Sequence, residues 1–205
     1  VVGYLAPSER PDSAALLPPP PGLPELATDE RAYREFMPLA ATARWPLARQ
    51  DSSLQFPAAV DAFACALGMT VSQQQMPRLY LLLQRTVVDA AQSTATAKQK
   101  HQRQRPFEVA DDEICVPAEK DSLRGTASYP SGHASVGYVW GEVLAVVAAE
   151  RAAAVRERGL QFGISRAACR LHWQSDIDAG RKVGTAVMAA LLATPAFVAD
   201  LDAAR

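Results

Sequence analysis

The fold rests on residues 129–150, which read YPSGHASVGYVWGEVLAVVAAE. The stretch begins with a proline turn and continues into an apolar segment, so we expect a helix that starts after Pro130 and runs to about Glu150. The free backbone N–H groups and the positive dipole end of this helix would lie at Ser131–His133. An anion-binding helix start and an ordinary helix start explain this stretch about equally well.

Helical patterns also lie on both sides of this segment. Apolar residues recur at helical spacing from about Met76 to Lys100, which predicts a long helix there. Further helices are expected from near Thr28, over 152–171, from Ser175 to before Pro195, and over 196–204. Residues 106–130 are polar and loop-like, and no segment alternates over enough residues to predict a strand. The pattern therefore predicts an all-α fold.

The first 27 residues are irregular and rich in proline. Pro18 to Pro21 should adopt the polyproline II conformation and lie over the surface. Three leucines flank this run: Leu16, Leu17 and Leu23. Their apolar side chains favour a packed strap over a floppy tail, so we predict an N-terminal strap over 1–27 and one helical domain over 28–205.

The charge balance limits the kinds of partner. The formal net charge of the 205 residues is −1, so no general positive field would attract a nucleic acid polymer or an anionic membrane. Glu142 interrupts the apolar stretch from Val136 to Ala149, and the stretch from Val183 to Ala193 is short, so we expect no membrane span. The chain begins with Val1, which suggests that a signal peptide has been removed.

Side chains that can bind phosphate occur in three short clusters. The clusters are Lys98 with Arg105-Pro106, then Tyr129-Pro130-Ser131-Gly132-His133, then Ser165-Arg166 with His172 and Asp176. Taken singly, they are explained by solvated surface cations, an ordinary helix start and a structural histidine. Together they combine two of the three histidines with two arginines and a lysine, which can hold phosphate oxygens. No grouping of acids and histidines suggests a metal site.

Two spacings predict how these clusters are arranged. Lys98 and Arg105 are seven residues apart, which is two turns of a helix, so both would point the same way. Asp176 follows His172 by four residues. Its carboxylate can reach the imidazole either within one helix or across a helix start that Ser175 caps.

In order and spacing, the clusters resemble the three-part signature of the type 2 phosphatidic acid phosphatase (PAP2) superfamily, which includes vanadium haloperoxidases. Eleven positions match. The resemblance extends to mature bacterial class A non-specific acid phosphatases through Gly3-Tyr4-Leu5, Pro11-Asp12-Ser13, Leu17–Pro21 and His172-Trp173-Gln174-Ser175-Asp176. One departure is Ala134, where that group usually carries threonine. The resemblance implies a single-domain helical bundle of the PAP2 type.

The resemblance also implies a role for each cluster residue in phosphate monoester hydrolysis. His172 would attack phosphorus and form a phosphohistidine, and Asp176 would orient its ring. His133 would start protonated, donate that proton to the leaving group and then activate water. The phosphate oxygens would be held by Lys98, Arg105, Arg166, the Ser131 hydroxyl and the amides near Gly132 and His133. Ser165 would orient the phosphate indirectly or only pack, and His101 is expected on the surface.

The same resemblance implies the reaction's partners. We expect small phosphate monoesters as substrates, phosphotransfer to alcohols as a side activity, and no metal or other cofactor. Vanadate or phosphate would bind as an inhibitor, and the chain would be a homodimer in the periplasm or secreted. Two alternatives use the same pocket, a vanadate-dependent haloperoxidase and a non-catalytic anion-binding protein. The small chain and the class A features favour the phosphatase.

The three cysteines are Cys65, Cys115 and Cys169. Without a CxxC pair they do not suggest zinc. They are either three buried thiols or, in an exported protein, one disulfide and one free thiol. Because Cys115 lies between two clusters and Cys169 lies one turn before His172, the disulfide we expect is Cys115–Cys169.

Overall fold

The computed structural model describes residues 1–22 and 24–205, and this part of the chain contains no β-strand. The all-α prediction is confirmed. The α-helices are α1 (Ser13–Leu16), α2 (Leu26–Phe36), α3 (Arg44–Gln50), α4 (Ala58–Asp61), α5 (Ala64–Leu67), α6 (Pro77–Gln92), α7 (Ala95–His101), α8 (Pro106–Ala110), α9 (Lys120–Leu123), α10 (Gly132–Val147), α11 (Ala152–Ala168), α12 (Gln174–Leu192) and α13 (Pro195–Ala203). Short 3-10 helices lie at Met37–Ala41, Pro117–Glu119 and Ala149–Arg151.

Helix α10 is the central helix, and it packs against α11, α12 and α6. Apolar residues occupy all of its sides, and Val136, Trp140 and Leu144 are fully buried. A helix that is apolar all round is stable only when other elements enclose it. The segment that begins with Ser131–His133 is therefore anchored in the hydrophobic core.

Three glycines determine how closely α11 and α12 approach α10. A Cβ at Gly137 would lie 2.4 Å from the carbonyl oxygen of Gly159, and a Cβ at Gly159 would lie 2.2 Å from that of Gly137. A Cβ at Gly180 would lie 2.3 Å from the carbonyl oxygen of Ser131. Because no side chain fits at these distances, the glycines bring the residues of the second and third clusters together.

The long helix predicted over 76–100 is two helices, and this prediction was wrong. Helix α6 ends at Gln92 and α7 begins at Ala95. The hydroxyl of Ser93 donates to the carbonyl of Asp89 (2.8 Å), and that of Thr94 donates to the carbonyl of Ala91 (2.7 Å). These side chains satisfy carbonyls at the end of α6, which allows the chain to turn there.

Three predicted helix boundaries also differ. Helix α2 begins at Leu26 and not near Thr28, and α11 ends at Ala168 and not at Leu171. Helix α12 begins at Gln174, because the carboxylate of Asp176 accepts the backbone N–H of Trp173 (2.8 Å) and thereby caps the helix before Ser175.

The segment over 106–130 contains α8, α9 and the 3-10 helix Pro117–Glu119, whereas we predicted a loop. Glu108 organises it, since its carboxylate accepts the N–H of Arg105 (3.1 Å) and the N–H of Gly125 (2.7 Å). These helices are three to five residues long and form through local caps. Such short elements leave no apolar period in the sequence.

The N-terminal segment makes specific contacts with the helices. The carboxylate of Asp89 accepts the backbone N–H groups of Tyr4 (2.7 Å) and Leu5 (3.1 Å), and the hydroxyl of Tyr129 donates to the carbonyl of Pro18 (2.9 Å). Leu17 is buried and Leu16 is exposed, whereas Leu23 lies outside the described residues. The division between residues 27 and 28 stays a prediction, and α2 runs across it.

A disulfide joins Cys115 to Cys169, as predicted. It links the segment before α9 to the end of α11, beside the third cluster. Cys65 is a free, exposed cysteine. The alternative of three buried thiols was therefore wrong.

Within residues 1–22 and 24–205, no single helix is both long and apolar enough to cross a bilayer. Helices α12 and α13 reach that length and composition only when taken together, and the pair is bent by 91°.

Candidate active site

The three clusters meet at one place, where α10 and α12 begin and α11 ends. The backbone N–H of Ser131 donates to the carbonyl of Asp176 (2.9 Å), which joins the second cluster to the third. A guanidinium nitrogen of Arg105, Nη1, lies 3.2 Å from Nε2 of His172, which joins the first cluster to the third. The fold therefore assembles one pocket from segments that are far apart in the chain.

Lys98 and Arg105 reach the pocket by a different route from the predicted one. Helix α7 ends at His101, and Gln102 adopts a left-handed conformation with φ 44°, so no helix connects the two cations. The Nζ of Lys98 donates to the carbonyl of Ala127 (2.9 Å), and Nη2 of Arg105 is 3.4 Å from the same oxygen. The two charges converge on one turn, but not because they are two helical turns apart.

The tautomer of His172 follows from its neighbours. A guanidinium can only donate, so Nε2 of the neutral ring must accept from Arg105 and carry no proton. The proton is then on Nδ1, which is 3.5 Å from Oδ2 of Asp176 and 3.4 Å from the hydroxyl oxygen of Ser128. Burial and the charges of Arg105, Lys98 and Arg166 lower the pKa of His172 well below its usual value. The unprotonated Nε2 therefore faces the cations.

Asp176 is fully buried and accepts several hydrogen bonds. Its Oδ2 accepts from the Ser128 hydroxyl and from the N–H of Trp173, while its Oδ1 accepts from Arg103 Nη1 (2.7 Å). Hydrogen bonds from this many donors hold a buried carboxylate in one orientation. The carboxylate of Asp176 therefore faces the Nδ1 side of His172 in a fixed position.

His133 is held through the other ring nitrogen. Its Nε2 lies 2.8 Å from the carbonyl oxygen of Ser52, which can only accept, so Nε2 carries a proton. The ring stacks on Phe162 with centroids 5.8 Å apart. Burial, followed by the charge of Arg166, lowers the pKa of His133 well below its usual value. The protein's own groups thus favour neutral His133, whereas the family resemblance implied a ring that starts protonated.

Arg166 is the most incompletely bonded cation of the pocket. It is 3% exposed, and its Nε and Nη1 have no hydrogen-bond partner among the described residues. Burial, followed by the charge of Arg105, lowers its pKa to about 9. Burial and Arg105 likewise lower the pKa of Lys98 to about 7. Buried cations with free donors are stabilised by a bound anion.

The start of α10 adds neutral donors to this side of the pocket. The Ser131 side chain caps the helix by accepting the N–H of Ala134 (3.3 Å), and its own proton stays free to donate. A Cβ at Gly132 would meet only the hydroxyl oxygen of Thr94, at 3.9 Å. The first amides of this 16-residue helix are therefore available to an anion.

Ser165 lies on a different network. Its hydroxyl donates to the carboxylate of Asp51 and accepts from Nη1 of Arg44 (2.8 Å). Asp51 also forms a bidentate ion pair with Arg158. Ser52, the next residue, accepts from His133, so this network supports the turn that holds that ring. The carbonyl oxygen of Gln161 also lies 3.0 Å from this hydroxyl.

His101 is half-buried, although the sequence placed it on the surface. Its ring meets the ring of Tyr129 edge-on, with centroids 5.7 Å apart. The last turn of α7 thus packs against Tyr129, the first residue of the second cluster. The sequence around a single histidine does not show which distant side chain it packs against.

The sequence also missed Ser128, Arg103, Asp29 and Ser52. The side chain of Arg103 is only 9% exposed. Asp29 lies in the first turn of α2 and is buried as well. Proximity to the clusters was the only available signal for Ser128 and Arg103, and nothing in the sequence marked Asp29 or Ser52.

No group of three or more His, Cys, Asp or Glu side chains within residues 1–22 and 24–205 could hold a metal ion. The pocket's positive charge comes from Lys98, Arg105 and Arg166. Metal independence of the reaction stays a prediction.

Comparison with known proteins gives one family match. The family model described as the PAP2 superfamily matches residues 78–198, which include all three clusters. The match covers more than half of the chain.

Several bacterial proteins are similar over nearly the whole chain. A protein of Salmonella typhimurium named non-specific acid phosphatase is 34% identical over 205 residues, which cover 98% of this chain and 82% of the relative. An acid phosphatase of Zymomonas mobilis is 35% identical, with 95% and 74% covered. A non-specific acid phosphatase of Providencia stuartii is 35% identical, with 98% and 83% covered.

Proposed function

We propose, from the premise that this chain belongs to the PAP2 superfamily and is an acid phosphatase of the bacterial non-specific type, that it hydrolyses phosphate monoesters through a phosphohistidine on His172. The observation that carries the proposal is the tautomer of His172. Its unprotonated Nε2 faces the cations, and its Nδ1 faces the carboxylate of Asp176. A neutral imidazole in this orientation is a nucleophile aimed at a bound phosphate.

The first step transfers the phosphoryl group to the enzyme. The lone pair on Nε2 of His172 forms a bond to phosphorus, and the bond between phosphorus and the ester oxygen breaks. His133 gives the leaving alkoxide a proton from Nδ1, since its Nε2 proton is held by the carbonyl of Ser52. The phosphorylated ring gains positive charge, which the carboxylate of Asp176 stabilises.

The second step returns the enzyme to its starting state. His133, now neutral, takes a proton from water at Nδ1 as the water oxygen attacks phosphorus. The bond between phosphorus and Nε2 breaks and inorganic phosphate leaves. An alcohol in place of water would accept the phosphoryl group by the same step, which is the basis of the proposed phosphotransferase side activity.

The phosphate oxygens are held by positive charge and by amides. Lys98, Arg105 and Arg166 supply the charge, and the Ser131 hydroxyl and the first amides of α10, at Gly132 and His133, supply neutral donors. Lys98 and Arg105 donate to the Ala127 carbonyl in the protein alone, and these bonds can be exchanged for bonds to phosphate. Donors that are already in place stabilise the charge that develops in the transition state.

The negative charge of the bound substrate would favour protonation of His133. Burial, followed by the charges of Arg166 and Arg105, lowers the pKa of this ring, and a phosphate dianion bound among the cations reverses the sign of that field. Substrate binding would therefore raise the pKa of His133 and draw a proton onto Nδ1. This coupling would favour turnover at acid pH, where the proton is available.

Export and self-association are further parts of the proposal. The Cys115–Cys169 disulfide supports a periplasmic or secreted location, because such bonds persist in oxidising compartments. The family resemblance supports a homodimer. Cell fractionation tests the location, and light scattering tests the dimer, which a monomer at micromolar concentration would contradict.

The experiment that tests the function measures hydrolysis of p-nitrophenyl phosphate with and without EDTA. We expect hydrolysis that EDTA does not reduce and that vanadate inhibits. A parallel assay measures bromide oxidation with vanadate and peroxide. Activity that is lost in EDTA and restored by zinc or magnesium would contradict the metal-free mechanism, and bromide oxidation without hydrolysis would favour the haloperoxidase.

A further inference from the structure

We infer that Asp29 and Arg103 are positioning residues for the nucleophile, an inference that rests on the proposed role of His172. The two residues extend the pair His172–Asp176 into a continuous buried chain of alternating charges. The order of the chain is Asp29, Arg103, Asp176 and His172. Neither Asp29 nor Arg103 belongs to the three clusters.

Arg103 connects two carboxylates with one guanidinium. Its Nη1 donates to Oδ1 of Asp176 (2.7 Å) and to the Ser175 hydroxyl (2.7 Å), while its Nη2 donates to Oδ2 of Asp29 (2.7 Å). The guanidinium also lies over the ring of Trp173, with Cζ 5.4 Å from the centroid. The planar fork is therefore fixed on several sides, and it determines which oxygen of Asp176 is left for His172.

Asp29 lies in the first turn of α2, 147 positions before Asp176, and is buried at 3% exposure. Its Oδ1 accepts the backbone N–H of Ser175 (2.9 Å), and its Oδ2 accepts from the Ser175 hydroxyl and from Arg103. One carboxylate thus holds both the guanidinium and the first turn of α12. The position of Asp176 is thereby tied to a helix outside the three clusters.

The charges explain why two carboxylates are needed. Arg103 alone beside Asp176 would offset most of the negative field that the carboxylate exerts on His172. With Asp29 on the other side of the guanidinium, the three groups together carry a net charge of −1, as Asp176 alone would. The chain can therefore fix the orientation of Asp176 without removing its ability to stabilise a positively charged phosphohistidine.

The electrostatic role separates this inference from ordinary ion pairing. A buried ion pair that only stabilises the fold would affect the amount of folded protein. A pair that sets the field at His172 would also change the pH at which that ring loses its proton. The acid limb of kcat/KM reports this ionisation in the free enzyme.

The test is Asp29→Asn, which removes the charge and keeps the size of the side chain. We expect the rate of phosphoenzyme formation from labelled p-nitrophenyl phosphate to fall about 10-fold or more. A loss of this size is typical when a residue that holds a site residue in place is removed. Because a negative charge is lost, the pKa of His172 should fall further, and the acid limb should move about half a pH unit or more to lower pH. KM should change little, since Asp29 contacts no phosphate-binding residue.

Asp200→Asn is the control. Asp200 also bridges to an arginine, Arg85 (3.4 Å), and accepts from Tyr4, but none of these residues belongs to the proposed site. For Asp200→Asn, we expect the rate of phosphoenzyme formation and the acid limb of kcat/KM to match those of the wild type. Thermal unfolding of all variants measures the folded fraction independently.

Arg103→Lys provides a second test that keeps the positive charge. A lysine can reach one carboxylate but cannot hold both with a planar fork, so phosphoenzyme formation should slow while the inhibition constant of phosphate is retained. If Asp29→Asn does not fold, Arg103→Lys decides the question, and a wild-type rate in that variant overturns the inference.

The outcomes of the inference and of the proposed function are distinguishable. No phosphoenzyme in the wild type would contradict the proposed function. The positioning role alone would be overturned by a different combination of results. In that case the wild type forms a phosphoenzyme, but the acid limb of Asp29→Asn does not move and its rate falls no more than its amount of folded protein.

Discussion

His172 and His133 lie in one pocket among the same cations, but partners of different kinds hold the two rings. The Nδ1 side of His172 faces the carboxylate of Asp176, whereas Nε2 of His133 donates to a neutral backbone carbonyl, that of Ser52. The two rings therefore present opposite nitrogens to the pocket, Nε2 from His172 and Nδ1 from His133.

This difference matches the charge that each ring carries during the proposed reaction. A nucleophilic nitrogen gains positive charge when it bonds to phosphorus, and a fixed carboxylate stabilises that charge. An acid and base must instead gain and lose a proton in each cycle. A neutral partner orients the ring without holding it in either state, so the charge of the ring can follow the substrate.

The largest expected effect is the loss of the nucleophile. His172→Ala should lower turnover of every substrate by about 10⁴-fold or more, as removal of a covalent nucleophile does. It should also abolish the phosphoenzyme, because the nitrogen that bonds to phosphorus, Nε2 of His172, has been removed. Rapid quench with labelled substrate measures both quantities. A phosphoenzyme in this variant would mean that another residue is the nucleophile.

Removal of the acid should have a smaller and more selective effect. His133→Ala should slow esters with poor leaving groups by about 10²–10⁴-fold, which is the usual contribution of general acid catalysis. The first step with p-nitrophenyl phosphate should be affected much less, because nitrophenolate leaves without a proton. The phosphoenzyme should then accumulate, since activation of water is also lost.

The matched control for both histidines is His101→Asn, because His101 packs on Tyr129 and has no proposed chemical role. Its turnover should stay close to that of the wild type. If the His133 variant forms no phosphoenzyme while the His172 variant still does, the two assignments are reversed.

The smallest expected effect is a pH dependence of anion binding, which tests the charges of Lys98 and His133. Burial and Arg105 lower the pKa of Lys98 to about 7, so this cation loses its charge as pH rises through that value, and His133 is neutral there as well. Sulfate, which stays a dianion, should bind with proton uptake. Its affinity should fall about 10-fold per pH unit above about pH 7 for each proton taken up.

Isothermal titration in buffers of different ionisation enthalpy measures this proton uptake directly. Lys98→Met should remove one part of the pH slope and His133→Asn another. A sulfate affinity that does not change between about pH 7 and about pH 8 would contradict the lowered pKa of Lys98 and the protonation of His133 on anion binding.

The sequence predicted the pairs whose members are close in the chain. Asp176 follows His172 by four residues, and Ser131 caps the helix that it begins. Such pairs form through local geometry, which spacing describes. The break at Ser93 and Thr94 was missed because hydroxyl side chains compete for backbone bonds without changing the apolar period.

Partners that are distant in the chain could not be predicted in this way. Ser52 lies 81 positions before His133, and it contributes only a backbone carbonyl, which every residue possesses. Arg103 has the same side chain as a solvated surface arginine, and only its surroundings distinguish the two. Its burial depends on α2 bringing Asp29 to the first turn of α12.

By itself, the sequence determined the helical class of the protein and the three clusters, because helical periodicity, caps and motif spacing are local properties of a chain. Only the tertiary structure decided which nitrogen of each histidine faces the cations. That choice depends on what meets the other nitrogen, and for His133 this is a carbonyl on a remote turn. The close crossing at Gly137 and Gly159, together with the contact of Gly180 with Ser131, determines the packing that brings the clusters together. Side-chain donors and acceptors act over about 3 Å, so their pairing is settled only when the helices have packed.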